Sequence, residues 1–193
     1  MKSWLAMLTL LPTLVLAAPQ AQTVAPAAKV VRVEMETSYG KLVVELDSAK
    51  APKTVANFLK YVKDGSYQGT QFHRVIPGFV VQGGGYDSHF TSLPNYPAVE
   101  NESKNGLSNS RGTLAMARTG DPHSATRQFY FNLQNNEALD GGVNWGYTVF
   151  GKVVSGIEVL DKIAAQPTGF NPDLQADDVP QQPILLKQVT LLP

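Results

Sequence analysis

The chain contains no cysteine. A disulfide framework, a thiol nucleophile, a zinc–thiolate site and a lipoprotein cysteine are therefore excluded together. Charge of one sign is lacking too: 16 basic residues balance 16 acidic ones. No electrostatic footprint argues for nucleic acid or an anionic membrane surface. A Gly-x-Ser-x-Gly elbow is absent, which weakens any hydrolase reading. Gly83-Gly84-Gly85 is followed by neither Gly-Lys-Ser/Thr nor a helix start, so these glycines read as permitting a turn and not as a phosphate loop. His73, His89 and His123 lack metal-ligand spacing, so no metal and no other cofactor is expected. What remains is a chain of 193 residues, enough for one domain with a sizeable core.

The apolar run Trp4 to Ala17 falls short of the ~20 residues a spanning helix needs, and no basic stop-transfer segment follows it. Met1-Lys2 before it and the small residues Ala17 and Ala18 after it read as a secretory signal peptide over residues 1–17. Cleavage after Ala17 places Val15 and Ala17 at the small-residue positions, cleavage after Ala18 leaves Pro19 first, and the boundary extends to about residue 21. Residues 18–29, rich in Ala, Gln and Pro without an apolar period, read as a flexible leader. The folded domain is expected over 30–193, exported to the periplasm. Lack of cysteine is compatible with that compartment, because a domain this size can be held by its core alone.

Val30 to Glu36 and Lys41 to Leu46 pattern as two strands around a turn containing Gly40. Ala51-Pro52-Lys53 opens a helix with proline in its first turn, Val55, Phe58, Leu59 and Val62 form its apolar stripe, and Gly65 ends it. A second helix is read from Gly156 to Ala165, with Ile157, Leu160 and Ile163 on one face. Between the helices, short strands and turn-rich connections suit an antiparallel barrel. The interior of a small barrel fills with side chains, so a peptide site must lie on its outer surface.

The stretch Phe72 to Gly84 reads as two short strands joined at Pro77-Gly78. Alternation puts Val80 and Gln82 on one face with Arg74 beside them and Phe79 at the rim. A fixed cation and a neutral amide beside apolar surface can hold and polarise an amide, with no obvious nucleophile and no cluster of metal ligands. Farther on, alternation sends Phe129 and Phe131 to one side and Gln128, Tyr130 and Asn132 to the other. The phenylalanines read as core, and Gln128 and Tyr130 as outward-facing.

The Phe72–Gly84 stretch resembles the central signature of the cyclophilin family of peptidyl-prolyl isomerases. Gly112 to Arg118 running on to Gln128-Phe129-Tyr130-Phe131 resembles that family's second signature, and Tyr147 to Val153 supplies a third matching piece. The likeness runs from about Val30 to Leu192 and is greatest to the bacterial periplasmic branch. It implies a mainly β fold: a closed eight-stranded antiparallel β-barrel capped at opposite ends by two α-helices. It also implies an enzyme that rotates X-Pro peptide bonds, acting as a monomer on proline-containing segments of unfolded exported proteins.

Peptide rotation faces a barrier of ~18–20 kcal/mol because the planar amide loses resonance as it twists. Its lone pair then localises on the prolyl nitrogen, and a donor aimed there favours the twisted state over the planar one. Arg74 is the candidate donor, since guanidinium stays protonated at any working pH; the alternative is an arginine paired with a surface carboxylate. Gln82 would hold substrate backbone and Arg74 through its amide. By match of position the resemblance adds Phe79, Val80, Ala117, Arg118, Gln128, Tyr130, Leu139 and Tyr147 to a substrate groove, each of which is otherwise an ordinary barrel residue. Several depart from the family's usual residue: Val80 replaces methionine, Arg118 asparagine, Thr119 alanine, Tyr130 phenylalanine and Tyr147 histidine. The Tyr130 hydroxyl needs a partner and is expected to narrow the pocket. Ala138 stands where cyclosporin-sensitive members carry tryptophan. Two rival readings are a barrel that binds proline segments without turnover and a hollow small-molecule carrier; Phe129 and Phe131 inside argue against the second.

Overall fold

The computed structural model describes residues 30–193. The signal-peptide reading of 1–17 and the leader reading of 18–29 lie outside the described residues. Alternation of apolar and charged residues yields β1 (Val31–Thr37) and β2 (Gly40–Leu46), with Val33, Met35, Leu42, Val44 and Leu46 all buried. They pair antiparallel from Val31 opposite Leu46 to Thr37 opposite Gly40, the opening hairpin that the pattern predicts. α1 (Pro52–Lys63) follows with proline in its first turn. Val55, Phe58 and Val62 are buried as expected, but Leu59 is only partly so and Tyr61 enters the core instead. Polar anchors turn the helix: Thr54 Oγ1 donates to Glu102 Oε2 at 2.7 Å and Asn57 Nδ2 to the Thr126 carbonyl at 2.5 Å.

The remaining elements are β3 (Thr70–Gln71), β4 (Arg74–Ile76), β5 (Val80–Gly83), β6 (Thr113–Met116), β7 (Phe129–Asn132), β8 (Val149–Ser155), α2 (Ile157–Ala164), β9 (Thr168–Asn171), β10 (Ala176–Pro180) and β11 (Leu185–Leu191). Gly156 and Ala165 are the caps of α2 and not its members. Leu160 and Ile163 are buried as expected, whereas Ile157, in the first turn, stays exposed and Val159 is buried in its stead.

Nine strands form one antiparallel sheet in the order β3-β11-β1-β2-β8-β6-β7-β5-β4, while β9 and β10 form a separate ribbon with β10 alongside β4. The expected closed eight-stranded barrel is thus corrected to a curled nine-stranded sheet whose ladder does not close. Its two edges, β3 and β4, are successive pieces of one segment: Thr70–Gln71 pairs with β11, Arg74–Ile76 with β5, and Phe72–His73 crosses between the ladders. Phe58, Phe72, Phe129, Phe131 and Phe150 fill the interior, each at most 1% exposed. That filling removes the hollow-carrier reading. α1 covers the end holding Tyr67 and Phe129, against which Phe58 packs. α2 covers the end holding the β1–β2 turn, with Val159 against Gly40.

Candidate active site

Strand register draws one line of side chains across the outer face. Arg74 lies opposite Gln82, Gln82 opposite Tyr130, Tyr130 opposite Ala115, and Ala115 opposite Val149. Residues directly opposite share a face, so five strands contribute to one surface. The alternate set, Val81, Leu114, Met116, Phe129 and Phe131, lies in the main core. Outside it, Val80, Ala115, Tyr130 and Val149 form a second apolar cluster onto which Phe79, Leu107, Ala117, Leu139 and Tyr147 pack. The β4–β5 connection that starts the line is a tight turn in which Phe79 N donates to the Ile76 carbonyl at 3.0 Å. Proline second and glycine third, with Gly78 at φ 70°, suit a type II turn.

A cavity of about 240 Å³ opens over this line. The hairpin contributes Arg74, Phe79, Val80 and Gln82, the segment after β6 Ala117 and Arg118, β7 Tyr130, and the approach to β8 Leu139 and Tyr147. Of the residues selected from sequence, only Gln128 and Ala138 are outside its lining. Gln128 stands behind Gln82, accepting a 2.9 Å hydrogen bond from Gln82 Nε2. Gly85 leaves it room, since a Cβ there would lie 2.6 Å from the Gln128 side chain. Of the three glycines read as a turn, Gly84 and Gly85 form the bend after β5, Gly84 at a positive φ of 85°; Gly83 lies within β5, where Phe72 packs against it. Ala138 is exposed on the 3-10 turn Glu137–Leu139, beside Leu139. A larger hollow of about 310 Å³ lies elsewhere, between β2, β8 and Leu107–Ser108, and gathers none of the selected residues.

Arg74 Nη1 donates to Gln82 Oε1 at 3.4 Å, and its Nε lies 3.8 Å from Asp178 Oδ2 on β10. Gln82 therefore accepts on one side and donates to Gln128 on the other, which orients its amide. Neighbouring His73 is buried, its Nδ1 has no partner, and burial assisted by the Arg74 charge lowers its pKa to about 4. It is neutral at working pH and packs edge-on against Tyr86, away from the cavity lining, with ring centroids 4.7 Å apart. Among the described residues no three His, Cys, Asp or Glu side chains are grouped to hold a metal ion.

Tyr130 and Asn132 face outward as alternation requires, yet both are buried, because the loops preceding β6 and β8 cover them. The Tyr130 hydroxyl donates to Asn109 Oδ1 at 2.7 Å, and burial raises its pKa far above the ordinary phenol range. The hydroxyl is thus engaged beneath the surface and does not narrow the cavity; the ring forms the wall. Sequence reading missed Asn109. Its Nδ2 contacts the carbonyls of Leu139 at 3.2 Å and Tyr147 at 3.4 Å, and Asp140 Oδ1 at 2.9 Å. Asn136 likewise donates to the Phe79 carbonyl at 3.0 Å and to Asn132 Oδ1 at 2.7 Å. These amides tie three walls of the cavity to its floor. The one sequence signal is the density of asparagine across 101–136, where turn residues are common in any case. Arg118 and Tyr147 meet directly, with the guanidinium carbon 4.4 Å from the ring centroid.

The outside of the filled sheet thus offers a groove with a cation, an oriented amide and the apolar side chains of Phe79, Val80 and Leu139. Comparison with known proteins identifies the family that carries such a groove. The family model for cyclophilin type peptidyl-prolyl cis-trans isomerase/CLD matches residues 32–191. Peptidyl-prolyl cis-trans isomerase A of Dickeya dadantii is 48% identical over 159 residues, 82% of this chain and 83% of the relative. Peptidyl-prolyl cis-trans isomerase B of Escherichia coli is 44% identical over 163 residues, 82% of this chain and 98% of the relative. A crystal structure of a Cryptosporidium parvum cyclophilin type isomerase superimposes with TM-score 0.70 at 27% identity, covering 85% of this chain and 98% of that one. A second structure of that protein was determined in the presence of the dipeptide Ala-Pro. The chain belongs to the cyclophilin-type peptidyl-prolyl cis-trans isomerase family, and the reaction it catalyses is cis/trans isomerisation of X-Pro bonds.

Proposed function

We propose that this isomerase acts on proline-containing segments of exported proteins as they fold in the periplasm, as a monomer, and that Arg74 stabilises the twisted amide. Residues 1–17 direct export, 18–29 form a leader, and 30–193 form the catalytic domain. The observation that carries the mechanism is the register line in which Arg74, held by Gln82, lines one cavity with the apolar side chains of Phe79, Val80 and Leu139. The loose 3.4 Å bond leaves guanidinium N–H groups available to a prolyl nitrogen whose lone pair localises on twisting. Rotation moves no proton and no electron, so the step needs no cofactor. The uncatalysed step takes tens to hundreds of seconds, long enough to limit folding. The Ala-Pro dipeptide used with the Cryptosporidium parvum relative supports a proline-sized pocket here.

The test is isomerisation of short X-Pro peptides by the mature chain and by Arg74→Ala. Losing one preorganised donor to a transition state removes ~2.7–4 kcal/mol, roughly two to three decades in rate. A folded Arg74→Ala protein with near-normal turnover would overturn the role of Arg74. Cell fractionation with N-terminal sequencing checks export: a cytoplasmic protein retaining Met1 refutes it.

A further inference from the structure

Two cations and no carboxylate line the 240 Å³ cavity. Arg74 has Asp178 nearby, but none of the ion pairs among the described residues includes Arg118. Its guanidinium is nonetheless fixed in place. Nε donates to the Gly146 carbonyl at 3.2 Å, Nη1 to Thr119 at 2.9 Å and Nη2 to Trp145 at 3.1 Å, while its flat face lies over Tyr147. Carbonyl oxygens satisfy donors without cancelling the positive charge. Asp140, next to Leu139, accepts at Oδ1 from the backbone N–H of Asn109 at 2.6 Å and from Asn109 Nδ2 at 2.9 Å, and makes no ion pair with Arg118. A half-buried, immobilised cation without an ion-pair partner therefore lines the cavity and favours negative charge there.

On the basis of the isomerase groove, we infer that Arg118, stacked on Tyr147, is a specificity-determining residue that selects X-Pro segments carrying an acidic residue next to the proline. The Tyr147 ring supports the Arg118 guanidinium through a cation–π contact, which holds the charge at the cavity edge. Guanidinium also retains N–H groups beyond the three engaged by carbonyls, in a fork suited to a carboxylate.

The experiment compares kcat/KM for proline peptides that differ only in carrying Glu, Ala or Lys immediately before or immediately after proline. At low ionic strength, attraction for Glu and repulsion of Lys by a half-exposed cation are each worth about threefold, so about tenfold separates Glu from Lys at one of the two positions. In 1 M salt, where screening acts within about 3 Å, that ratio falls toward one. Arg118→Gln, verified as folded by its circular dichroism, should abolish the ratio and Arg118→Lys retain it. Glu and Lys peptides turned over within twofold of each other by the unaltered protein at low salt overturn the inference, whether or not any variant folds. So does a ratio that Arg118→Gln leaves unchanged. The Ala peptides separate the two levels: no turnover of any of them would defeat the isomerase reading itself, whereas good turnover without charge preference would defeat the role of Arg118 alone.

Discussion

Arg127 and Arg74 flank the same sheet and are held in opposite ways. Arg127 is 2% exposed, and its three guanidinium nitrogens donate to the carbonyls of Gly84, Pro94 and Ser66 at 2.6, 2.8 and 2.6 Å. Its guanidinium carbon lies 5.1 Å from the ring centroid of Tyr61 and 5.7 Å from that of Tyr67, and no carboxylate pairs with it among the described residues. Arg74 is half-exposed, with one 3.4 Å hydrogen bond and one 3.8 Å ion pair. The first is a structural clamp joining three connections beneath α1; the second keeps most of its donors free, which is what the catalytic role proposed for Arg74 requires. How many donors the fold has already engaged separates an arginine that can only hold structure from one able to meet a substrate.

The largest expected effect breaks the clamp. Arg127→Ala leaves three carbonyls without their donor and should cost about 3–5 kcal/mol of stability in denaturant unfolding. Turnover per folded molecule should be retained. Arg74→Ala should give the opposite pattern: loss of turnover with a stability change under about 1 kcal/mol, as for exposed ion pairs. If both variants lose stability equally, the contrast between the two arginines fails.

His73 sharpens the comparison, because it is the titratable group beside Arg74. Its folded pKa, about 4, is below the unfolded 6.5, so the unfolded chain binds the proton more readily between these values. Its contribution is fully present above about pH 6.5 and is lost as pH falls toward 4, amounting to about 3 kcal/mol. His73→Gln should show that much less acid sensitivity when unfolding is followed across this window. Turnover should be nearly flat between about pH 6 and 9, because His73 is already neutral there. A bell-shaped profile that survives correction for stability would implicate a titrating group in the step.

The smallest expected effect concerns the rim. Ala138, exposed next to Leu139, supplies neither the indole N–H nor the apolar wall of cyclosporin-sensitive relatives. Cyclosporin should inhibit at least about tenfold more weakly than it does those relatives, since a lost hydrogen bond is worth ~0.5–1.5 kcal/mol and a lost aromatic contact adds to it. Ala138→Trp should improve inhibition with little change in turnover. Tight inhibition of the natural protein, titrated through its turnover, would place the inhibitor surface elsewhere.

Much of this was legible before folding. A strand's alternation is a property of the backbone alone, so Arg74 and Gln82 on one face and Phe129 and Phe131 on the other follow from their positions. Helical periodicity marks an apolar stripe but not its edges: Leu59 packs at the margin of the core as the stripe requires, whereas Ile157, in the first turn of α2, stays exposed while Val159 is buried. Closure of the barrel was misjudged because a strand pattern does not reveal that Thr70–Ile76 divides its hydrogen bonds between two partners.

From sequence alone come the family signatures, the pairing of cation and amide in one hairpin, and the filled interior, all of which depend on neighbours a few residues apart. Only the tertiary structure decides that Tyr130 is buried with its hydroxyl on Asn109, that Arg127 is a clamp, that Asp178 stands beside Arg74 and that Arg118 is fixed over Tyr147. Each of these depends on a loop or ribbon arriving from a distant part of the chain. Side-chain alternation carries no information about what arrives to cover an outer face, and that covering determines which donors remain for a substrate.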